Sequence, residues 1–396
     1  MKRLKRVARA LFHQSLLAQG LTAVTALATV SLLAQGMPTD DYAHYAVVTA
    51  LWAIGNAVVG TGTGTRMAKM ASDGHSRIRF QQSELWVALA AATAVGLYVG
   101  AVREYNADAL IAGLCMLTFV FVESSTSFEL GAGRFNRYLV ILATRALSPL
   151  LFLGVLFVLG EVNFTTAVLS TFLANLVSLM LWPRRWSLML ERAKGISSHT
   201  VGAMNMALWI IASADRLILE GIVQPLELAT YAMAYGLVDR VFRSLSNAYI
   251  ARNLRRSFQG ASSRSGALYL GGMALIALLL IPGVHWGTAV LSGGRYVADF
   301  DVALGVVSAG LFMVWSAPKY VALMASGSYR SSLCILGLLA ALNIGGNFIF
   351  SPTFGIVGAA FVSAFTYLLW LVWLIGRSKR RETTVLMIGR HVRVAT

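Results

Sequence analysis

An apolar helix that carries ionised side chains has to find partners for them. The stretch ATYAMAYGLVDRVFRSLSNAYIARNLRR, residues 229 to 256, reads as such a helix. It holds Asp239, Arg240 and Arg243 in its middle, ahead of a basic end at Arg252, Arg255 and Arg256. Asp239 and Arg243 are four residues apart, so a helix sets them on one face, where carboxylate and guanidinium pair. Tyr235 and Ser246 extend that face, while Arg240 points about 100° away and needs another partner or a solvated lumen. Glu123 in FVFVESSTSFEL and Arg145 in ILATRALSPL sit on successive apolar stretches at similar depth and form a second opposite-charge pair. Asp215 and Arg216 are neighbours at the far end of IIASADRLILEG, where Arg216 can snorkel to the interface.

The chemistry open to this set is electrostatic. Charges inside a membrane face a bundle interior or a watery cavity and often mark a transport path, and arginine holds carboxylate or phosphate through a fixed fork of donors. Glu123, Arg145, Tyr235, Asp239, Arg240 and Arg243 are therefore candidates to line a substrate cavity. Asp215, Arg216 and Arg66 belong to its rim or to the framework. The slight positive excess suits an anionic substrate such as a phosphate-bearing one. The competing reading of every pair is a structural salt bridge.

The elements that must position these residues are helices in a bilayer. Of 396 residues 57% are hydrophobic and 13% charged, about half the charge of a soluble domain, and mean hydropathy is +0.68. The apolar residues come in blocks of roughly 20, the length that crosses a bilayer as a helix, and lack the short alternation of a membrane β-barrel. The expectation is an all-α integral membrane protein with twelve transmembrane helices in two six-helix bundles and both termini cytoplasmic. The spans fall near residues 12–34, 43–65, 83–102, 107–127, 138–160, 163–182, 198–220, 228–250, 266–285, 300–322, 331–350 and 354–376. Asp239 is then about 16 Å into its span, near mid-membrane. Arg145 lies a turn or two above the cytoplasmic surface. The basic N-terminus and the long apolar run behind it read as an uncleaved first helix.

Charge placement orients the chain. Of its 33 Lys and Arg, the loops on one side hold only Arg103 and Arg295, and Arg145, Arg216, Arg240 and Arg243 lie within spans. The rest crowd the other side, which the positive-inside rule makes cytoplasmic. A net charge of +16 therefore reports topology, and nucleic acid is excluded as a partner, because the basic residues line one membrane face without forming a groove.

The two domains expected are residues 1–190 and 191–396, joined by PRRWSLMLERAKGISS, in which WSLMLERAK has the look of a short helix on the membrane surface. An internal repeat supports the division. With Asp40 of DDYAHYAVVTALWAIGNAVVG set on Leu226 of LELATYAMAYGLVDRVFRSLS, Ala43 meets Ala229, Tyr45 meets Tyr231 and Ala46 meets Ala232. Parallel halves related by an axis along the membrane normal are a known transporter symmetry and fit alternating access.

Motifs for covalent or metal chemistry are missing from the sequence. GTGTGT, residues 60 to 65, lacks phosphate-loop spacing, and its small residues, like those of GIVGAAFVSAF, suit close helix approach or a bend. Pro149 loosens its helix. Cys115 and Cys334 read as packed thiols, and the six histidines are scattered. No metal or cofactor is expected, and no enzyme activity.

Three stretches resemble the polysaccharide (O-antigen, exopolysaccharide) flippase family, within the superfamily that also holds the multidrug extruders. They are ADRLILEGIVQPLELATYAMAYGLVDRVFRSLSNAYIARNLRR, residues 214 to 256; Pro318 through Leu374, including GIVGAA; and the first two helices up to Arg66. The resemblance implies two six-helix lobes facing each other in a V. It implies translocation of an undecaprenyl-diphosphate-linked oligosaccharide across a bacterial inner membrane, coupling to a proton or sodium ion, and work beside a polysaccharide polymerase. It also implies a cationic central cavity, which Arg145, Arg240 and Arg243 match. An ion-coupled drug or metabolite exporter of the same superfamily is the alternative, which the Arg-bearing spans argue against and Asp239 and Glu123 leave open, and a non-transporting scaffold is a third.

Overall fold

The computed structural model describes residues 2–103, 106–181, 198–258, 267–325 and 329–394. The linker helix expected at WSLMLERAK and the boundary between residues 190 and 191 lie outside these residues. The helices are α1 (Lys2–Gly36), α2 (Thr39–Asn56), a π turn (Ala57–Thr61), α3 (Gly62–Ser72), α4 (Gln82–Arg103), α5 (Asn106–Gly131) and α6 (Phe135–Leu159). They continue with α7 (Phe164–Met180), α8 (Ser198–Leu219), α9 (Pro225–Phe258), α10 (Ala267–Leu291), α11 (Phe300–Ala325) and α12 (Tyr329–Val394).

Among the described residues, eight helices are long and apolar enough to cross a membrane, which corrects the expected twelve spans in two six-helix bundles. Local composition explains the difference. Glutamines and threonines dilute α1 (Gln19, Thr22, Thr25, Thr29, Gln35), the charges in question interrupt α9, and α7 has only 17 residues. The last two expected spans form one element, bent where Gly355 takes φ 56°, a left-handed conformation open to glycine. What stands is a multi-pass all-α membrane protein.

The chain manages its helix ends and breaks locally. Asn163 and Thr166 cap the start of α7 reciprocally, and Gly160 closes α6 at φ 74°. Pro318 within α11 has no N–H for the carbonyl four residues back, and the Tyr269 hydroxyl donates to that carbonyl, Val314 O, at 3.3 Å. Pro149 deprives the carbonyl of Arg145 in the same way, loosening α6 at the residue that carries the charge.

Small residues set the closeness of the packing. A Cβ on Gly202 of α8 would run into the carbonyl of Val58 in the π turn, and one on Gly64 of α3 would lie 2.6 Å from Ser127 Oγ on α5. The GTGTGT run thus seats both the π turn and a tight α3–α5 contact. α2 begins at Thr39 and α9 at Pro225, the register in which Asp40 meets Leu226. The two helices exchange partners. Ala43 and Val47 of α2 are buried with Leu228, Tyr231 and Val238, while Ala229 and Met233 of α9 are buried with Val48, Trp52 and Met116. Outward positions such as Leu151, Val155 and Val158 of α6 and Leu275, Leu278 and Leu279 of α10 stay exposed, as hydrocarbon-facing residues should.

Packing at this distance makes a test. A Cβ on Gly131 would collide with the backbone of Ala68, whereas one on Gly271 meets nothing within 4 Å. Gly131→Val should destabilise by about 1–3 kcal/mol, read as a drop of several degrees in melting temperature in detergent, and Gly271→Ala should leave it unchanged.

Candidate functional site

The middle of α9 holds its charges as the i,i+4 spacing requires. Arg243 Nε lies 3.0 and 2.9 Å from the two oxygens of Asp239, and Arg243 Nη2 lies 2.6 Å from Oδ1. The same guanidinium covers the ring of Trp209 on α8 at 3.8 Å. One turn nearer the helix start, Tyr235 lies under the guanidinium of Arg216, 4.9 Å from its centroid. A small cleft between α9, α11 and α12 touches Tyr235, Asp239, Gly310 and Tyr367.

Asp215 is fully buried. It accepts the backbone N–H of Arg216 at 2.8 Å and the hydroxyl of Tyr231, with Ser363 Oγ at 3.3 Å and Arg216 Nε at 3.9 Å. From Ser363 a line of buried polar groups continues along α12, through Asn343 at 3.5 Å, Asn347 and Ser351. Asn343, Asn347 and Ser351 recur every fourth residue in an otherwise apolar run, a signal present in the sequence that the search for charges passed over.

In the first half of the chain, Glu123 on α5 and Arg145 on α6 approach to 3.8 Å. Arg145 stands ten residues into α6, about 15 Å along it and deeper than a turn or two. Its guanidinium covers the ring of Phe119, 4.6 Å away and one α5 turn from Glu123. The π turn passes beside them: the space over Gly60 is shared by Asn56 Oδ1 and the Cβ of Glu123. Glu123 and Asp239 are 31% and 21% exposed, so both pairs lie partly open, in contrast to Asp215 at 0%.

Arg240 differs from the other three. Its Nη1 donates to the carbonyl of Gly236 at 3.0 Å. Among the described residues it has no carboxylate within ion-pair distance and no ring beneath it. Tyr42 and Tyr45 of α2 are within electrostatic reach across the seam between the two halves.

Arg66 stands apart from this group. It grips Glu84 with two bonds of 2.8 and 2.6 Å and donates to Arg79 O at 2.6 Å, fastening the α3–α4 connection. At the helix ends opposite the basic rim the seam is closed. Ser31 donates to Leu291 O at 2.7 Å, and Arg295 Nη1 donates to the carbonyls of Ala34, Gln35 and Met37 at the end of α1. The rings of Tyr42 and Tyr296 stack at 5.4 Å. Glu220 receives His44 Nδ1 at 2.9 Å and the hydroxyl of Tyr98. Cys115 is buried and Cys334 exposed, and both are free thiols. A cavity of about 760 Å³ lies between the two arms of α12, lined by apolar residues such as Leu342, Phe350 and Phe361, and touches none of the charged groups.

No protein-family model matches the sequence, and no curated protein matches it. Solved structures do. A MATE transporter in the straight conformation superposes with TM-score 0.55 and 15% identity over 97% of each chain. The MATE multidrug transporter DinF-BH gives 0.55 and 12% over 95% of each. The fold is that of the MATE transporters. A MOP superfamily transporter from Pyrococcus furiosus, described by a binding pocket of reverse polarity, gives 0.52 and 16% over 95% of each.

These matches correct the expected oligosaccharide flippase: the likeness is to MATE exporters, the reading held as its alternative. The geometry gives a physical reason. A diphosphate headgroup needs several unspent cations, but Arg145, Arg216 and Arg243 each already face a carboxylate.

Burial separates the ion pairs into strong and weak. Glu84 is 2% exposed beneath Arg66, whereas Lys69 and Asp73 are 42% and 46% exposed. Arg66→Ala should cost about 3–5 kcal/mol by leaving a buried carboxylate alone, and Lys69→Ala under about 1 kcal/mol, as measured by thermal unfolding in detergent.

Proposed function

We propose that this protein is an ion-coupled secondary exporter of the MATE type, carrying an amphipathic organic solute across a bacterial inner membrane by alternating access. The observation that supports it most is the set of partly exposed ion pairs, Glu123–Arg145 and Asp239–Arg243, held in mid-helix within a MATE fold. Intramembrane charges kept accessible to water belong to transport paths more than to frameworks. Aromatic rings at each pair, Phe119 and Trp209, give an amphipathic solute apolar walls with polar points of attachment. MATE structures of this fold occur in straight and bent conformations, and here a cycle would open the seam that Arg295 and Glu220 close. The buried Asp215 and the oxygen-rich line behind it are where a proton or sodium ion would act, since a carboxylate shut away from water feels such a charge strongly.

The test is accumulation of a panel of fluorescent dyes, both cationic and anionic, in a strain lacking its own efflux pumps. Expression should lower the level of at least one dye. Collapsing the proton and sodium gradients should restore it, and Asp215→Asn and Arg243→Gln should each reduce export several-fold at equal membrane expression. Dye levels identical to the empty strain across the panel would sink the proposal.

A further inference from the structure

Charge bookkeeping at the seam identifies the chemical class of the cargo. Seven ionisable side chains lie in the apolar stretches of α5, α6, α8 and α9: Glu123, Arg145, Asp239, Arg240 and Arg243 in mid-helix, and Asp215 and Arg216 towards the end of α8. Six of them are accounted for in pairs, Glu123 with Arg145, Asp215 with Arg216 and Asp239 with Arg243. Each of these three arginines also has an aromatic ring beneath it, Phe119, Tyr235 or Trp209. The set is therefore neutral apart from one positive charge, and that charge is on Arg240.

The surroundings of Arg240 hold its guanidinium ready without neutralising it. One N–H is used, on the carbonyl of Gly236. A Cβ at Gly236 would stand 2.8 Å from Nη1, so the glycine makes the room in which the group folds back along the helix. The remaining donors are not among the buried polar atoms left without partners, so they open onto accessible space. Tyr42 and Tyr45 of α2 are within electrostatic reach; their hydroxyls are engaged with Met233 Sδ and Thr171 Oγ1, and they add no negative charge. Asp239 and Arg216 are also within electrostatic reach; the Asp239 carboxylate is committed to Arg243, and Arg216 is a like charge. A cation with no counter-ion of its own among the described residues is costly in a membrane interior, and an anionic ligand removes that cost.

We propose that Arg240 is the specificity-determining residue for an organic anion carrying one negative charge, held by the guanidinium donors that the fold-back over Gly236 leaves open. This rests on the exporter reading for its biological sense but not for its test. The paired arginines exclude a polyanion, because a second negative charge would have to break an existing ion pair. They also exclude a preference for cations, because no carboxylate in the set is free.

The experiment uses two ions of the same size and shape, tetraphenylborate and tetraphenylphosphonium, titrated into the purified full chain in one detergent. Partition into the micelle cancels when variants are compared. Wild type should favour the borate over the phosphonium by about tenfold more than Arg240→Gln does, and Arg240→Lys should keep most of that preference. Gly236→Ala, which leaves the charge but displaces the guanidinium, should weaken borate binding without affecting the phosphonium. A wild-type preference for the phosphonium, or an Arg240→Gln profile equal to wild type, would mean that Arg240 is merely hydrated and would overturn the proposal. Export assays separate the two readings. Anion preference in binding without gradient-driven export of any dye refutes the exporter and leaves the anion site. Export of cationic dyes untouched by Arg240→Gln does the reverse.

Discussion

An ionised side chain at the centre of a bilayer costs about 2.5–3.5 kcal/mol even on the mildest scale, and the interior of this protein is arranged around that cost. Asp239 is answered by Arg243 within its own helix, Glu123 by Arg145 from the neighbouring one, and Asp215 by its sequence neighbour together with Tyr231 and Ser363. Three of the arginines lie over rings, which stabilises a cation further where water is scarce. The most exposed positions on the apolar helices belong mainly to leucine, valine and phenylalanine.

The pairs fall where they do because the helices around them approach closely and are broken deliberately. The π turn after Asn56 shifts the face of α2 and brings Gly60 beside Glu123. A single π turn inside an α-helix is a common mark of a functional position. Gly202 lets α8 sit on that turn, and Pro149 loosens α6 at Arg145. At the far end the seam is shut by the reach of Arg295 to three carbonyls of α1 and by Glu220 between His44 and Tyr98. These polar contacts lie beside apolar cores that themselves cross the seam, where α2 and α9 exchange partners.

The MATE fold persists here at 12–16% identity. Lipid-facing positions accept any apolar residue of suitable size, and a fold built mostly from such positions constrains its sequence loosely. The charges at the seam are what such a comparison leaves open, and they are where this protein's own chemistry lies.

Much of the site was legible in the sequence. Spacing alone places Asp239 with Arg243, because a helix has one period and four residues span about one turn. Depth alone makes Glu123 and Arg145 possible partners, and the distribution of Lys and Arg orients the chain. Composition establishes a multi-pass helical membrane protein, but the count of spans was overstated. Hydropathy blocks do not reveal that α7 is short or that α12 runs through its bend. Only the tertiary structure decided which charges are cancelled. Trp209, Phe119 and Tyr231 come from the helix adjacent in sequence to that of the group they meet, and no local pattern announces them. The flippase reading rested on a resemblance whose implied cationic cavity Arg145, Arg240 and Arg243 match. Among the described residues the fold sets Arg145 and Arg243 against carboxylates and leaves Arg240 without one at ion-pair distance, because pairing is a property of positions in space and the sequence states only positions along the chain.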